Sequence, residues 1–399
     1  MVLSSQASTQ AVTKTATQTA SRRGILIPYT AAVVFYWMSL YLYVPTLSVY
    51  AASKTDNLAL VGIVLSQYGL WQAVARFPLG IIADWVGRRK PFIIAGFALG
   101  GLGALWMGLT GSINGLIVGR ALSGFAASVW VLLVVAVNSQ FPPEDAVRIT
   151  ALLSGVNSVA RMLATSVTGA LNDWGGYPLA FFLAAGTAAL AMLSMVMVRE
   201  PARPSKPPSL GSLGKLITRR DVLVPSLLCA VSQFAIWAAP FTFSPILAKS
   251  LGASGVTLSM LTSLNIALVM LGSFATSAVA KRVGARRLVV FNFVVIALSM
   301  TLLTFARSLS LVFVAQICFG LASGIGYSVL MGLSIRDVDE TQRATAMGLF
   351  QAVYGIGMFA GPWLSGILAD AIGIQPMFGV VGAACLMIGL MGTRQLAEK

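Results

Sequence analysis

The chain alternates long apolar segments with short polar loops. Twelve segments are apolar enough, and long enough at roughly 20 residues, to cross a bilayer as helices. To within a few residues, spans 1 to 12 lie at 25–50, 58–80, 91–111, 115–137, 149–171, 178–198, 222–247, 257–280, 288–306, 310–334, 345–369 and 375–393. The alternating segments of about 10 residues that mark a transmembrane barrel do not occur. The pattern therefore predicts an all-α membrane protein with 12 transmembrane helices.

The composition narrows the class of protein further. Of the 399 residues, 57% are apolar and 10% are charged, whereas soluble domains carry about 25% charged residues. This argues against a cytosolic enzyme, a nucleic-acid-binding protein and a disordered chain. There is no histidine, and Cys229, Cys318 and Cys385 all lie inside apolar segments. We therefore expect no disulfide framework, no metal site and no cofactor.

The charges in the loops predict the topology. With 12 spans, both termini lie on one side of the membrane. The loops on that side carry 21 Lys and Arg residues, and the opposite loops carry three, which are Lys54, Lys249 and Arg307. By the positive-inside rule, both termini are expected in the cytoplasm of a multi-pass protein of the cell (plasma) membrane. The same distribution explains most of the net charge of +15, so nucleic acid is not an expected partner. Span 1 is too long for the apolar core of a signal peptide, which favours an uncleaved anchor.

A charged, proline-rich segment divides the chain into two similar halves. The loop that begins at Gly87 corresponds to the loop that begins at Gly284, and Gly124 in span 4 corresponds to Gly320 in span 10. We predict a disordered cytoplasmic tail at 1–23, six-helix bundles at 24–198 and 222–393, a cytoplasmic linker at 199–221 and a tail at 394–399. Parallel six-helix repeats are a transporter architecture, with the solute site near the middle of the membrane between the halves.

The loop between spans 2 and 3 carries a family resemblance. It reads Gly80-Ile-Ile-Ala-Asp84-Trp-Val-Gly87-Arg88-Arg89-Lys90, which resembles the G-x-x-x-D-x-x-G-R-[RK] signature of the major facilitator superfamily. A degenerate copy follows span 8, with Lys281 in place of the aspartate. Arg120-Ala-Leu-Ser-Gly124 in span 4 resembles a second element of the family, with Ser123 where Gln is frequent. The resemblance covers about 25–393 and implies the 12-helix fold of that superfamily.

The signature has two compatible interpretations. The resemblance implies a conformational latch, in which Asp84 holds the cytoplasmic ends of the two halves together in the outward-open state. The predicted gate and latch residues are Gly80, Asp84, Gly87, Arg88, Arg89 and Arg76. The glycines permit a tight turn or close helix approach, and the aspartate can accept charge-assisted hydrogen bonds. The run of cations also serves as a topology anchor.

Three arginines lie inside the spans, where a charge is costly and marks function. Arg161 is near the middle of span 5, on a polar stripe with Asn157 and Thr165 at helical spacing, which predicts a wet face toward a cavity. Arg120 lies in the outer third of span 4, and Arg76 lies near the cytoplasmic end of span 2. All 12 acidic residues are in loops or at helix ends. These arginines therefore need carbonyls, polar side chains, water or an anionic solute as partners.

Uncharged polar and aromatic residues complete the predicted solute site. In span 1, Tyr36 and Tyr43 share one face, and Trp37 and Tyr41 share another, so all four cannot line the cavity. The predicted solute-binding residues are Arg161, Arg120, Asn157, Thr165, Tyr36, Tyr43, Gln233, Trp237, Asn265, Gln316, Tyr327, Gln351 and Tyr354. An alternative for the aromatic residues near span ends is the interface belt. No catalytic constellation occurs in the sequence, so an enzyme is not expected.

The sequence predicts a secondary transporter that moves a small organic solute, expected to be anionic, by alternating access. A monomer in the lipid bilayer is expected, and coupling to protons is left open. Proton symport, exchange and uniport all remain open. Antiporters of the family commonly carry G-P-x-x-G-G in span 5, from which Ala164-Thr-Ser-Val-Thr168-Gly169 departs. The alternatives are proton-coupled efflux of drugs or amphiphiles, lipid flipping and, from another class, a non-transporting membrane receptor.

Overall fold

The computed structural model describes residues 26–198, 200, 218–339 and 342–396, and these residues form long helices without strands. The helices are α1 (Leu26–Ala52), α2 (Leu58–Val86), α3 (Lys90–Thr110), α4 (Ile113–Asn138), α5 (146–174), α6 (177–196), α7 (Arg220–Ser250), α8 (Gly255–Val283), α9 (Ala285–Thr304), α10 (Leu309–Arg336), α11 (Arg343–Ile372) and α12 (Ile374–Thr393). Each predicted span corresponds to one helix. The predicted tail at 1–23, most of the linker and the last three residues lie outside the described residues.

The fifth and sixth spans are continuous apart from one break. The segment Ala146–Val196 loses helical geometry only at Gly175 and Gly176, where Gly176 has a φ of 69° and a ψ of 175°. A residue with a side chain rarely adopts that conformation. The glycine pair therefore ends α5 and starts α6 without a loop. A short 3₁₀ turn, Pro143–Asp145, precedes α5.

The first helix of each half is interrupted inside the bundle. The α1 helix loosens at Leu42 and Tyr43, and a regular segment restarts at Val44–Ala52 with a proline in its first turn. The α7 helix widens to a π-type turn over Ala239–Phe243, which contains Pro240. Proline removes a backbone donor and disturbs the helical hydrogen-bond ladder. Both interruptions lie at the level of the bundle where the two halves meet.

Corresponding glycines make corresponding contacts in the two halves, α1–α6 and α7–α12. Gly124 of α4 lies against the backbone of α2, and Gly320 of α10 lies against the backbone of α8. Gly169 of α5 lies against Gly255 of α8, and Gly366 of α11 lies against the start of α2. The offset of 197 that relates Gly169 to Gly366 also relates the contacted residues, 58 and 255. The internal repeat in the sequence is therefore a repeat in packing.

The halves meet along α2 with α11 and along α5 with α8, and both contacts are closest at one end. We call the end with the loops of Arg88, Arg89, Arg286 and Arg287 the basic end. At the opposite end, the Leu58 amide donates to Asp370 at 2.9 Å. Toward the basic end, a Cβ added at Gly80 or Gly155 would meet no atom within 4 Å. The two halves are therefore closed at the opposite end and separated at the basic end.

Candidate functional site

The arginine of α5 lies against the aromatic face of α1. The Arg161 guanidinium carbon is 4.2 Å from the ring centre of Tyr41 and 5.6 Å from that of Trp37. Both rings are buried, at 4% and 6% exposure, while the arginine is half-buried. The faces of aromatic rings attract cations, so this pair of rings holds the positive charge in place. The Arg161 Nε has no hydrogen-bond partner.

The arginine of α4 is buried more deeply. Arg120 is 1% exposed, and its guanidinium carbon lies 4.3 Å from the ring centre of Tyr68 in α2. That tyrosine in turn stacks on Trp237 of α7, with ring centres 5.2 Å apart, so the stack crosses from one half to the other. The Nε and one terminal nitrogen of Arg120 have no hydrogen-bond partner.

The arginine of α2 joins the two halves directly. Arg76 is 7% exposed and donates to the hydroxyl of Tyr354 in α11 at 2.7 Å. A second bond, 3.3 Å long, goes to the carbonyl oxygen of Ala127 in α4. The side chain is thus buried between helices and does not snorkel to the membrane surface. Its Nε has no hydrogen-bond partner.

The three arginines share an unusual electrostatic environment. Within the part of the chain that the structure describes, no carboxylate lies within ion-pair distance of any of them. Leaving a buried charged donor unsatisfied costs more than leaving a neutral one unsatisfied. Aromatic faces offset part of that cost but accept no conventional N–H hydrogen bond. This group of residues, Arg76, Arg120, Arg161, Tyr41 and Tyr68, can therefore stabilise an anionic or carbonyl-rich molecule, and we call it the arginine–aromatic cluster.

The polar stripe of α5 runs along the interface between the halves. Thr165 pairs with Ser263 of α8 at 2.7 Å, near the closed end. Asn157 and Arg161 follow toward the basic end, and Ser154 beyond them is exposed. The opposite face of α5 carries exposed apolar side chains such as Leu163. The stripe therefore faces the space between the halves, and the Asn157 Oδ1 is one of its unpartnered atoms.

The tyrosines predicted for α1 lie elsewhere. The Tyr36 hydroxyl donates to the Ala126 carbonyl at 2.9 Å, and Tyr43 pairs with Ser123 at the same distance. Both side chains are 1% exposed and point into the N-terminal half. The other face of α1, which carries Trp37 and Tyr41, is the one that lies against Arg161. Helical spacing gave two possible faces, and packing against α4 selects between them.

The candidates in the C-terminal half divide into two groups. Asn265 donates to both the carbonyl and the side chain of Gln316, which donates to Ser244 at 3.0 Å, so these buried amides bind α8, α10 and α7 together. Trp237 and Tyr354 instead contact the arginine–aromatic cluster. Tyr327 packs edge-on against Tyr354 with ring centres 5.9 Å apart. Gln233 and Gln351 are half-buried, and the structure brings neither to an arginine.

The predicted latch residues form a local turn in this structure. Asp84 accepts a 2.6 Å bond from Arg89, five residues later, and its side chain is 55% exposed. Gly87 has a φ of 70° and ends α2, which is the turn that the signature predicts. Gly80 faces open space, so it mediates no close helix contact here. Arg88 is exposed.

Sequence reasoning missed an interaction between this loop and the end of α6. Glu200 accepts from the backbone amides of Arg89 and Lys90 at 2.8–3.1 Å, which caps the start of α3. The Lys90 ammonium group donates to the carbonyls of Val196 and Val198 at 2.8 and 2.6 Å, which caps the end of α6. A carboxylate at a helix start and a cation at a helix end both complement the helix dipole. The only sequence signal was one acid directly after span 6.

In the described part of the chain, twelve long apolar helices form two related halves that hold arginines within the bundle, which is the architecture of a multi-pass membrane transporter. A sequence profile described as Major Facilitator Superfamily matches residues 29–247 and 226–396. The matched segments cover most of the chain. The chain therefore belongs to the Major Facilitator Superfamily, and it is a transporter of a small solute.

Similar proteins cover most of the chain at low identity. An uncharacterized MFS-type transporter of Methanocaldococcus jannaschii is 20% identical over 355 residues, which is 87% of this chain and 92% of that protein. The class H tetracycline resistance protein of Pasteurella multocida is 21% identical over 80% of this chain and 82% of its own length. Among solved structures, a bacterial homolog of the human lysosomal transporter Spinster, inward-facing and unoccupied, has a TM-score of 0.79 at 14% identity. That match covers 94% of this chain and 97% of the Spinster homolog.

Proposed function

We propose that this transporter carries a small organic anion, bearing a carboxylate, sulfonate or phosphate group, by alternating access. The observation that carries the proposal is the arginine–aromatic cluster, in which buried guanidinium groups lack carboxylate partners within the described residues. An anion entering between the halves gains charge-assisted hydrogen bonds from donors that otherwise stay unsatisfied. The aromatic rings fix the direction of those donors before the solute arrives.

The cluster also gives the solute a means of closing the transporter. Arg161 belongs to the N-terminal half, and the stack of Tyr68 on Trp237 reaches the C-terminal half. A ligand that contacts both halves favours the conformation in which both sets of contacts form. In this proposal, the chain carries the solute unchanged and performs no chemistry on it.

The test is uptake of radiolabelled solutes into proteoliposomes. A panel of carboxylates, sulfonates and phosphate esters is compared with neutral analogues of the same size. Arg161→Gln removes the charge and leaves a shorter polar side chain, and it is expected to lower anion uptake by roughly tenfold to a hundredfold, the worth of one charge-assisted bond. Arg161→Lys is expected to retain part of the uptake because the charge remains.

A matched control distinguishes loss of the binding site from a general loss of positive charge. Arg148, exposed at the start of α5, is changed to Gln so that the same helix loses the same charge. Uptake by the Arg148→Gln variant is expected to equal uptake by the unaltered protein. If Arg161→Gln leaves the uptake of every anion unchanged, the anion proposal is wrong.

A second candidate function is proton-coupled efflux of amphipathic compounds. The similarity to a protein named for tetracycline resistance, over 80% of this chain, favours it. The aromatic side chains of the cluster also offer apolar surface to such a compound. Efflux predicts that a pH gradient across the vesicle drives amphiphile movement. Labelled phospholipids in the same vesicles test lipid flipping.

For orientation, we propose that the basic end and both termini lie in the cytoplasm of a monomer in the plasma membrane. The support is the 21 to 3 distribution of cations between the two sets of loops. Coupling is distinguished by driving force. Symport requires a pH gradient, exchange requires solute inside the vesicle, and uniport requires neither.

A further inference from the structure

A pocket opens at the basic end of the C-terminal half, far from the arginine–aromatic cluster. Its volume is about 430 Å³, and it lies between the start of α7, the loop before α9 and the ends of α10 and α12. Its polar lining includes Arg220, Arg286, Arg287 and Arg336. Its lining also includes apolar residues such as Leu333. We call it the four-arginine pocket.

Both aspartates of the described lining are already engaged. Asp221 accepts from Arg219 at 2.5 and 3.1 Å, and Asp337 accepts from Arg336 at 3.0 and 3.2 Å. Arg219 also donates to the Asp337 carbonyl. The lining thus contains four arginines and two aspartates. One of these aspartates, Asp221, pairs with Arg219, which lies outside the lining. The lining carries net positive charge.

The internal repeat shows what the equivalent place holds in the other half. There, the amides of Arg89 and Lys90 donate to the carboxylate of Glu200. The offset that relates Gly87 to Gly284 places Arg286 and Arg287 at the corresponding positions of α9. The N-terminal half therefore places a carboxylate at this helix start, where the described residues of the C-terminal half form the four-arginine pocket.

We propose that the four-arginine pocket binds a phosphate-bearing anion, supplied by the head group of an anionic phospholipid on the basic side of the membrane. Guanidinium groups match phosphate oxygens with paired hydrogen bonds. The pocket lies at the ends of membrane-spanning helices and has both arginines and apolar residues in its lining, which suits the level of lipid head groups. An arginine near such a membrane surface contributes about 1 kcal/mol to binding.

The test is thermal unfolding of the purified full-length protein in detergent, titrated with phosphatidylglycerol. Phosphatidylcholine serves as the zwitterionic comparison, and glycerol 3-phosphate and inorganic phosphate serve as soluble sources of phosphate. Phosphatidylglycerol is expected to raise the Tm saturably. In the double variant Arg220→Gln/Arg287→Gln, the half-saturating concentration is expected to rise roughly thirtyfold, as two arginines at that contribution imply.

Two control variants isolate the pocket. Arg148→Gln/Arg307→Gln removes the same charge from exposed positions outside the pocket, and its titration is expected to match that of the unaltered protein. Arg220→Lys/Arg287→Lys keeps the charge and is expected to recover most of the binding. This variant also shows that any loss in the Gln variant is not a failure to fold.

The outcomes separate the sources of the anion. A phosphatidylglycerol shift that depends on the pocket arginines, with no shift from soluble phosphates at equal concentration, supports the lipid head group. Equal effects of soluble phosphates overturn the lipid source and leave a phosphate site. Equal responses of the Gln and control variants overturn the site itself. If Glu398→Gln lowers the Tm as the pocket variant does, and no phosphate shifts it, the chain's own tail supplies the anion and the proposal fails.

Discussion

The environment of Arg76 depends on the relative position of the two halves. Its bond to Tyr354 crosses from α2 to α11, whereas its bond to Ala127 stays within the N-terminal half. When the halves rock apart, only the first bond has to break. The residue thus stabilises one arrangement of the halves more than another, which is the property expected of a gate residue.

Tyr354→Phe removes the acceptor of that bond and keeps the ring. Because a buried charged donor loses its partner, the free energy of unfolding is expected to fall by about 1.5–3 kcal/mol. Chemical unfolding in detergent measures the change. Tyr177→Phe, on a half-buried ring at the other end of the molecule, is the control. Additive effects of Tyr354→Phe and Arg76→Gln in a double-mutant cycle would contradict a direct coupling.

A second prediction concerns Glu200, whose carboxylate caps α3. Glu200→Gln keeps the shape but loses the charge that faces the helix start. The free energy of unfolding is expected to fall by about 0.5–2 kcal/mol, the range for loss of a helix cap. The same measurement on Glu144→Gln, an exposed acid in the 3₁₀ turn that precedes α5, is expected to show a change within about 0.5 kcal/mol. Equal effects of the two changes would remove the capping role.

Residue patterns predicted some placements and not others, for physical reasons. The stripe containing Arg161 was readable because a buried charge on a polar helical face has few structural explanations. The choice between Tyr36 and Tyr41 was not readable, since both helical faces of α1 are equally aromatic. Only the position of the Ala126 carbonyl decides it. The cap from Glu200 depends on where α6 ends relative to α3, which the local sequence does not encode.

At the scale of helices, the closed end is built from glycine pairs. A Cβ on Gly169 would overlap the backbone of Gly255 and Val256, and a Cβ on Gly62 would overlap the carbonyl of Pro362. Small residues let helix backbones approach closely in membranes. The same helices have open space around Gly155 and Gly80 nearer the basic end. A larger side chain is therefore expected to disturb helix packing at the closed end and to be tolerated near the basic end.

Gly169→Val is expected to separate α5 from α8 at the closed end. Overpacking costs about 1–3 kcal/mol, which moves the balance between the two arrangements of the halves by about 5-fold to 150-fold. Solute uptake is expected to fall accordingly, because alternating access needs both arrangements. Gly155→Ala on the same helix adds one methyl group where this arrangement has open space, and it is expected to lower uptake much less than Gly169→Val. Normal uptake by Gly169→Val would show that this contact is not required for closure.

The helices themselves were predictable because their length is fixed by the thickness of the bilayer and their apolar character by its interior. The interruptions of the helices were less predictable from the sequence. The glycine pair that separates α5 from α6 occurs in the sequence, but a break of two residues is shorter than an ordinary loop. The π-type turn of α7 arises from Pro240 within a bundle that holds both sides of the break. Such features depend on tertiary packing, which overrides local preference.

At the scale of the whole molecule, the repeat and the closed end together explain how one sequence supports two arrangements. The α5–α8 contact and the α11–α2 contact are related by the same offset, so they lie on both sides of an approximate twofold axis. Rocking one half against the other, about an axis parallel to the membrane plane, opens one end and closes the other. The polar stripe of α5, from exposed Ser154 to Thr165 at the closed contact, spans the distance along which a solute must move.

The accessibility of the two ends gives the last prediction. Ser154→Cys and Ser259→Cys are made separately with Cys318 changed to Ala, since the other two cysteines are buried. Ser259 is buried here, and its hydroxyl oxygen accepts a hydrogen bond from the Gly169 amide at 2.7 Å. A membrane-impermeant maleimide is expected to label Ser154→Cys from the basic side and to label Ser259→Cys from the other side more slowly by about tenfold to a thousandfold, the rarity of a minor conformation.

Combining each cysteine variant with Gly169→Val tests whether the glycine contact between α5 and α8 keeps one end of the molecule closed. If the glycine contact holds the far end closed, the valine is expected to raise the labelling rate at position 259 and lower it at position 154. Both rates must change, because the halves move as rigid bodies about one axis and each arrangement exposes a single end. A faster rate at position 259 with no change at position 154 would indicate local disruption of the helix contact, and would separate packing at this site from the motion that transports the solute.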